Sequence, residues 1–576
     1  MMESLIALWA QHAPLWPVVL PLATALVLLA LADRGGEVNA QGGAHDPTRL
    51  RWRRRIALAS TLLGALSAVG LLGLADRSGW QVYPLGDWPA PFGIVLVLDR
   101  LSALMVVLTY AVALPVLAYA CGGWDARGRH FHALFQFQLM GLGGAFVTGD
   151  AFNLFVFFEV LLVASYVLLA HGQGPQRFKV AVPYVTLNLV ASGLFLLGLA
   201  MLYALTGTLN LADLGERLHR LPDTETALAH AAGMVLLVVF GFKAALLPLH
   251  LWLPATYAAA SAPVAALFAI MTKVGVYAIV RVHWTAFGGD EAAWVNGWTQ
   301  VLLPLGLATS VLGVFGALAA GRLSGLVAWL TVSSSGTLLA AVGLLAPEAL
   351  SAALYYLIHS TVLMAALFLL VELVGAQRGP VGDGLTPAWA VREPVLLGGL
   401  LLLAAASAAG LPPLPGFLGK VMLLQASSGL DAQPWVWAVL LGVGFLSLLG
   451  LARAGVVLFW HVAPADGQAM PDAGTPRRLI APVLLLLALG LSLAAGAQAV
   501  RQYTDAAVRQ LLDREGYAQA VLGPWRAAPQ GAQPPAVGAG EAAVRPYRGD
   551  LKGAVPAAAP ALPADAQAPV VDRSSP

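Results

Sequence analysis

Residues 234–280 read MVLLVVFGFKAALLPLHLWLPATYAAASAPVAALFAIMTKVGVYAIV, an apolar stretch whose charged side chains are Lys243 and Lys273. A segment of small residues near position 260 divides it into two runs, each as long as the ~20 residues that cross the hydrocarbon core of a bilayer. In the first run, Pro248 and Pro254 remove backbone donors and disfavour a continuous helix. The stretch therefore predicts two membrane-spanning helices, one of which is broken.

The rest of the chain has the same membrane character. Of its 576 residues, 59% are hydrophobic and 11% are charged, whereas soluble globular proteins carry roughly 25% charged residues. Apolar runs bounded by charged or Gly/Pro segments predict an all-α membrane protein with about fourteen transmembrane helices. The predicted spans are 15–32, 56–75, 95–120, 131–149, 151–170, 180–205, 229–258, 263–284, 298–319, 323–345, 350–374, 394–426, 435–460 and 479–499.

Several classes of function and site are excluded. The formal net charge is +2, so no strong field suggests a nucleic-acid partner. Cys121 is the one cysteine, which rules out disulfides within the chain and Cys-ligated clusters. We find no phosphate-binding loop and no HExxH motif, and we expect neither a metal nor a cofactor. The N-terminus lacks a basic region before its apolar stretch, so it is not predicted to be a cleaved signal.

Basic residues in alternate loops predict the orientation in the cell inner (cytoplasmic) membrane. By our count, about fifteen lie on one side against about four on the other, and the richer side is expected to be cytoplasmic. The first loop alone carries Arg34, Arg49, Arg51, Arg53, Arg54 and Arg55, and the poorer side has Arg77, Arg217, Arg220 and Arg281. Both termini are therefore predicted to lie outside.

Two broken spans suggest an internal repeat. The seventh span contains Pro248 and Pro254, and the twelfth contains GLPPLPGF with Pro412, Pro413 and Pro415. They are five spans apart, an odd number, so they cross the membrane in opposite directions. Interrupted spans at matching places in two halves are typical of inverted repeats in transporters, although two independent kinks are the alternative.

The chain is accordingly divided into five parts. Residues 1–130 hold the first three spans, 131–284 and 298–460 form the two five-helix repeats, and 479–499 is the last span. Residues 500–576 are rich in Ala, Pro and Gly, and this composition predicts a disordered extracytoplasmic tail.

The candidate functional charges inside predicted spans are Glu159, Lys243, Lys273 and Lys420. A charge at mid-bilayer costs at least ~2.5–3.5 kcal/mol on insertion scales. One acid cannot pair with three lysines, and a buried lysine without a carboxylate partner can gain and lose a proton near neutral pH. We therefore predict a proton relay over the alternative of purely structural salt bridges.

His359 lies in the middle of the predicted eleventh span, beside Ser360 and Thr361. Histidine titrates near neutrality, so His359 is a candidate member of the relay. A single histidine in a helix can equally be a hydrogen-bonding residue of the interior, and both interpretations stay open.

Three stretches carry a family resemblance. They are GDAFNLFVFFEVLLVASYVLL at 149–169, GFKAALLPLHLWLPATYAAASAPVAALFAIMTKVGVYAIVR at 241–281 and GLPPLPGFLGKVMLLQ at 410–425. In order and spacing they resemble the antiporter-like membrane subunits shared by respiratory complex I and the multisubunit Mrp (Mnh, Pha) cation/proton antiporters. The resemblance extends over about residues 95–460, and within this family the sequence looks like the D subunit.

The resemblance implies a role for each charged residue. Glu159 would be the acid paired with Lys243, Lys273 the lysine at the centre of a polar axis, and Lys420 its terminal lysine. It also implies two inverted five-helix repeats and no redox cofactor. The chain departs from many relatives after His359, where Met364 stands in an uncharged segment, so His359 with water would have to serve there.

The expected function is secondary transport, not enzymatic catalysis. Protons would enter in exchange for a monovalent cation, with sodium expected, through one subunit of a hetero-oligomeric membrane complex. No cluster of mid-depth oxygen ligands looks able to hold the cation, so partner subunits are expected to complete its path. The alternatives are a proton-pumping subunit of a complex I-like NADH:quinone oxidoreductase and a structural membrane subunit.

Overall fold

The computed structural model describes residues 9–31, 47–288, 292–461 and 475–526. Within these ranges, twelve helices are long and apolar enough to cross a membrane, and two shorter apolar helices, Phe131–Val147 and Pro394–Ala409, complete the predicted set. The prediction of an all-α membrane fold with about fourteen spans is confirmed.

The spans are numbered 1 to 14 in chain order. Their helices are Trp16–Ala30, Pro47–Ser78, Arg100–Ala120, Phe131–Val147, Ala151–Ala170, Pro175–Thr206, Asp223–Lys243 with Trp252–Ala259, Ala262–Ala286, Ala292–Ala319, Leu323–Gly343, Pro347–Ala376, Pro394–Ala409 with Pro415–Ala426, Gln433–Phe459 and Arg477–Ala495. Spans 7 and 12 are the broken ones, as predicted. Spans 8, 10 and 11 are almost wholly enclosed by the others.

A short hairpin precedes span 3. Strands β1 (Gln81–Pro84) and β2 (Val95–Leu98) pair antiparallel, so the predicted start of span 3 at residue 95 is wrong. The helix begins at Arg100. Asp99 is its N-cap, because the Asp99 carboxylate accepts a hydrogen bond from Ser102 N at 2.8 Å. An apolar run alone does not distinguish a buried strand from the first turn of a helix.

Matching backbone contacts support the inverted repeats. The turn before span 5 pairs with the segment after span 6, through Ala151 N to Leu209 O and Leu211 N to Gly149 O, at 2.8 and 2.9 Å. The turn before span 10 pairs with the segment after span 11, through Leu323 N to Asp383 O and Leu385 N to Gly321 O, both at 2.8 Å. The two pairs of loops lie five spans apart along the chain and make the same type of contact, as inverted repeats would.

The predicted disorder of residues 500–576 is wrong for its first part. Two C-terminal helices, Ala497–Leu512 and Arg514–Arg526, follow span 14. The first is amphipathic, and its apolar face buries Ala507, Val508 and Leu511 at the spacing of one helix face. The tail's average composition is dominated by its later Ala/Pro-rich part and masks this pattern. Residues 527–576 lie outside the described residues.

Arg281 does not lie in an outer loop, as the basic-residue count assumed. It lies in a π-helical turn of span 8, Ile279–His283, and its side chain is buried. The guanidinium binds both carboxylate oxygens of Asp99, at 2.6 and 2.8 Å. A bidentate carboxylate partner stabilises a buried arginine near the end of a span.

Candidate functional site

Glu159 and Lys243 are linked through span 6. Ser192 Oγ donates a hydrogen bond to the Glu159 carboxylate, and Lys243 Nζ donates to Asn188 Oδ1 at 3.1 Å. Asn188 and Ser192 are four residues apart and therefore share one face of the helix. Among the described residues, the two charged groups form no direct ion pair. In place of the direct pairing that the resemblance implied, each charged group binds its own polar residue on the same face of span 6.

Lys243 is the last residue of the first half of span 7 and is buried. The helix stops there, and Ala245 takes a positive φ of 59°. Pro248 lies inside the break, whereas Pro254 lies in the first turn of the helix that resumes at Trp252, where a missing N–H costs little. The break therefore directly follows the lysine.

Three side chains bind the backbone groups that this break frees. In lipid such groups need partners from the protein. The hydrogen bonds are Trp252 Nε1 to Phe242 O at 3.0 Å, Ser335 Oγ to Ala244 O, and Leu247 N to Thr309 Oγ1 at 2.9 Å. Two of the three partners belong to spans 9 and 10, in the second repeat.

Lys273 is fully buried in span 8. Across the described ranges, no side chain or carbonyl accepts a hydrogen bond from its ammonium. Two residues further on, Gly275 lies directly against the break of span 7, because a Cβ there would be 2.5 Å from Ala244 N. Span 8 thus places Lys273 on a helix that contacts the end of the Lys243 helix.

His359 and Lys420 meet at the second break. The Lys420 ammonium donates to Ala409 O at 2.8 Å and to Ala408 O at 3.2 Å, the last carbonyls before the break. A Cβ on Gly416 would be 2.8 Å from His359 Nε2, so the histidine packs against the start of the helix that carries Lys420. Pro412 and Pro413 lie in this break, and Pro415 starts the next helix.

A chain of hydroxyl groups leads towards His359 from span 9. Ser310 Oγ and Thr337 Oγ1 are 2.9 Å apart, and Tyr356 interacts with Thr337. The rings of Tyr356 and His359 are 6.0 Å apart, centre to centre. His359 also lines a cavity of about 20 Å³ whose walls are mostly aliphatic side chains of spans 11, 12 and 14. These hydroxyls were not predicted, because small polar residues in spans more often pack helices.

The prediction of a single acid inside the spans was incomplete. Glu372 lies near the end of span 11 and is largely enclosed, with its carboxylate accepting from Trp124 Nε1 at 2.5 Å and Tyr119 OH at 3.2 Å. It is far along the helix from His359, by thirteen residues or about 20 Å. Glu372 is therefore not part of either cluster, although a search for isolated acids in apolar runs would have found it.

The structure brings the predicted residues into two groups, one at each broken helix: Glu159 with Lys243 and Lys273, and His359 with Lys420. Buried cations at two broken, oppositely directed spans define the class of antiporter-like membrane proteins. The chain belongs to the NADH:quinone oxidoreductase/Mrp antiporter transmembrane family, whose model matches residues 148–449.

Similar proteins cover almost the whole chain. It is 39% identical to the D subunit of a probable K(+)/H(+) antiporter of Rhizobium meliloti, over 91% of this chain and 99% of the relative. It is 34% identical to the D subunit of a Na(+)/H(+) antiporter of Bacillus subtilis, over 88% of this chain and 98% of that relative.

Two solved structures have similar folds. A chain in the structure of the Mrp complex from Dietzia sp. DQ12-45-1b is 29% identical, with a TM-score of 0.77, and the match covers 89% of this chain and 99% of that one. A chain of the archaeal membrane-bound sulfane sulfur reductase has a TM-score of 0.76 at 22% identity, and the match covers 89% of this chain and 100% of that one. The second likeness concerns the fold alone.

Proposed function

We propose that this chain is a proton-translocating subunit of a multisubunit monovalent cation/proton antiporter, and thus a transporter component and not an enzyme. The observation that carries the proposal is the placement of Lys243 and Lys420 at the two broken helices, each with a titratable neighbour. The names of the relatives support the cation/proton pair. Because one is named for potassium and another for sodium, the cation is sodium or potassium.

The relay runs between the two repeats, assigned to residues 131–284 and 298–460. At one end, the Glu159 carboxylate holds charge near Lys243 through Ser192 and Asn188. Lys273, on the helix that contacts the end of the Lys243 helix, is the next member of the relay. At the other end, Lys420 binds the carbonyl end of a helix, where the helix dipole favours its charge.

Protons move along this line because neighbouring sites titrate together. When one group gains a proton, like-charge repulsion favours release from the next. Buried lysines suit this task since they exchange protons near neutral pH. His359, beside Lys420, carries the proton where no lysine follows it in span 11.

The cation path requires other subunits. The described spans present no mid-depth group of acids resembling the several oxygen ligands that an alkali cation requires. The partners are the remaining subunits of a hetero-oligomeric complex, as the multisubunit relatives suggest. The chain's location is the cytoplasmic membrane, with the arginine-rich loops inside and both termini outside.

Reconstitution tests the function. Membrane vesicles from a host without its own antiporters would carry either the whole assembly or this chain alone, and a dye would report the pH gradient when sodium or potassium is added. We expect the assembly to dissipate the gradient, the isolated chain to leave it intact, and Lys420→Ala in the assembly to depress the exchange. Full exchange by the isolated chain, or by an assembly carrying Lys243→Ala, would overturn the proposal.

A further inference from the structure

The break in span 7 is held from the other repeat. Its freed carbonyl, Ala244 O, accepts from Ser335 Oγ of span 10, and its freed amide, Leu247 N, donates to Thr309 Oγ1 of span 9. Both side chains are fully buried. Ala244 is the residue next to Lys243, so these two hydroxyls bind the backbone on which the lysine's direction depends.

Spans 9 and 10, which carry these hydroxyls, pack closely against each other. A Cβ on Gly313 would be 2.4 Å from Ser333 N, and one on Gly336 would be 2.3 Å from Ser310 N, so the two backbones are in direct contact. Ser333 Oγ donates to Ser310 O at 2.8 Å across the same contact. Glycine has no side chain, so two helices in a membrane can pack closely with their backbones in contact at glycine positions. The two helices are therefore closely packed along this contact.

The second break is satisfied differently. There the freed carbonyls of Ala408 and Ala409 are bound by Lys420 itself. A lysine near the carbonyl end of a helix readily binds its last carbonyls. At the first break a serine occupies the carbonyl next to the lysine, and the Lys243 ammonium instead reaches Asn188.

We propose that Ser335 and Thr309 are positioning residues for proton transfer through Lys243. By binding Ala244 O and Leu247 N, they direct the ammonium to Asn188 and away from its own helix end. Since both hydroxyls belong to the second repeat, they also join the conformation of that repeat to the charged group of the first. The inference rests on the proposed function and adds residues that neither the family match nor the relay requires.

The test measures the maximal exchange rate of the whole assembly at saturating cation, with the abundance of this chain determined in the same membranes. Ser335→Ala leaves Ala244 O for Lys243 to bind, and the rate is expected to fall roughly tenfold, the size expected for loss of the buried hydrogen bond between Lys243 and Asn188. The exchange rate should fall similarly in Thr309→Val, whereas Thr309→Ser, which keeps the hydroxyl, should retain most of the rate. Ser334→Ala is the matched control, since this buried neighbour donates to Thr331 O of its own helix.

A double-mutant cycle separates positioning from general stability. If Ser335 acts by directing Lys243 to Asn188, the variant Ser335→Ala/Asn188→Ala should be no slower than Asn188→Ala alone. The inference would be overturned if the rate losses of the two single variants multiplied in the double variant. It would also be overturned if Ser335→Ala had a normal rate, or if its loss of rate were matched by reduced abundance. The underlying function is tested separately by Lys243→Ala. If that variant retains full exchange, the proposed function fails, whereas loss there with a normal Ser335→Ala rejects only the positioning role.

Discussion

Asn188 and Ser192 show what a single sequence does not reveal at the scale of residues. The charges of Glu159 and Lys243 stand out because each lies alone in an apolar run. Their partners do not, because small polar side chains in spans usually pack helices. Which residue a charge meets depends on the rotation of neighbouring helices about their axes, and that is decided by tertiary packing.

Glu159→Gln is expected to reduce cation-driven proton exchange at least roughly tenfold, because a neutral amide no longer stabilises the charged form of Lys243. Glu159→Asp should keep part of the exchange, since the charge survives on a shorter side chain. Vesicle assays of the assembly, corrected for abundance, measure both. Normal exchange by the Gln variant at normal abundance would remove Glu159 from the relay.

Lys273→Arg is expected to be nearly as inactive as Lys273→Ala. Arginine keeps the positive charge but does not release its proton in proteins, and Lys273 is fully buried with no acceptor among the described residues. The same vesicle assay measures the rate, and detergent extraction of the intact complex controls for assembly. Near-normal exchange with arginine would mean that position 273 supplies only charge.

The broken helices show how far the sequence predicts elements. Proline acts through its own covalent structure, so both breaks were predicted at the right spans. The roles of individual prolines were not, because Pro254 and Pro415 lie in the first turns of resumed helices. That distinction depends on where the chain re-enters a helix, which the neighbouring spans determine.

Gly275 supports a prediction about the contact between spans 7 and 8. In Gly275→Ala the new methyl group would meet backbone atoms of Ala244 and Lys243 at 2.5 and 2.8 Å, so span 8 has to move away from the break. We expect lower thermal stability of the purified assembly and slower exchange. Gly193→Ala is the matched control, because its Cβ would meet nothing within 4 Å. Equal behaviour of the two variants would contradict the close contact.

Asp150 caps the start of span 5 and is expected to make the stability of the protein depend on pH. Burial raises the pKa of this capping carboxyl to about 6, above its ordinary value of roughly 3.9. A carboxyl group whose pKa is higher in the folded chain than in the unfolded chain stabilises the fold at low pH. This stabilisation is fully present below the pKa of the unfolded chain and is lost as the pH rises through the pKa of the folded chain.

Asp150→Asn stays neutral and still offers an oxygen to the helix N-terminus. Its thermal stability relative to the natural chain should therefore increase between about pH 4 and pH 6, the interval between the unfolded and folded pKa values, and stay constant above about pH 7. Unfolding of the solubilised assembly at several pH values measures this difference. Parallel curves for the two proteins would show that Asp150 does not titrate in this range.

At the scale of the whole molecule, the span count was predictable because bilayer thickness imposes one length on every crossing. The C-terminal helices were not, since average composition hid an amphipathic segment. These helices contact distant parts of the chain: Gln510 accepts from Arg100 N at 2.9 Å, and Thr504 lies 2.9 Å from Ser351 Oγ.

The orientation predicts a labelling pattern. In a background without Cys121, a cysteine at Arg51 or Arg477 should resist an impermeant thiol reagent in intact cells, because both positions are expected to face the cytoplasm. A cysteine at Asp223 should react. All three side chains are exposed, so permeabilised cells provide the control in which each should label. The reverse pattern would invert the assigned topology.

The C-terminal helices also have a consequence for how the protein is made. The ribosome synthesises residues 497–526 after all fourteen spans, yet these residues bind the beginning of span 3, where Tyr503 OH donates to Arg100 O at 3.1 Å. The bundle is therefore completed at the end of translation, by a segment that ties early and late spans together. A premature stop codon just after span 14 would yield a chain that inserts normally but stays unfinished, and quality-control proteases would be the first to encounter it.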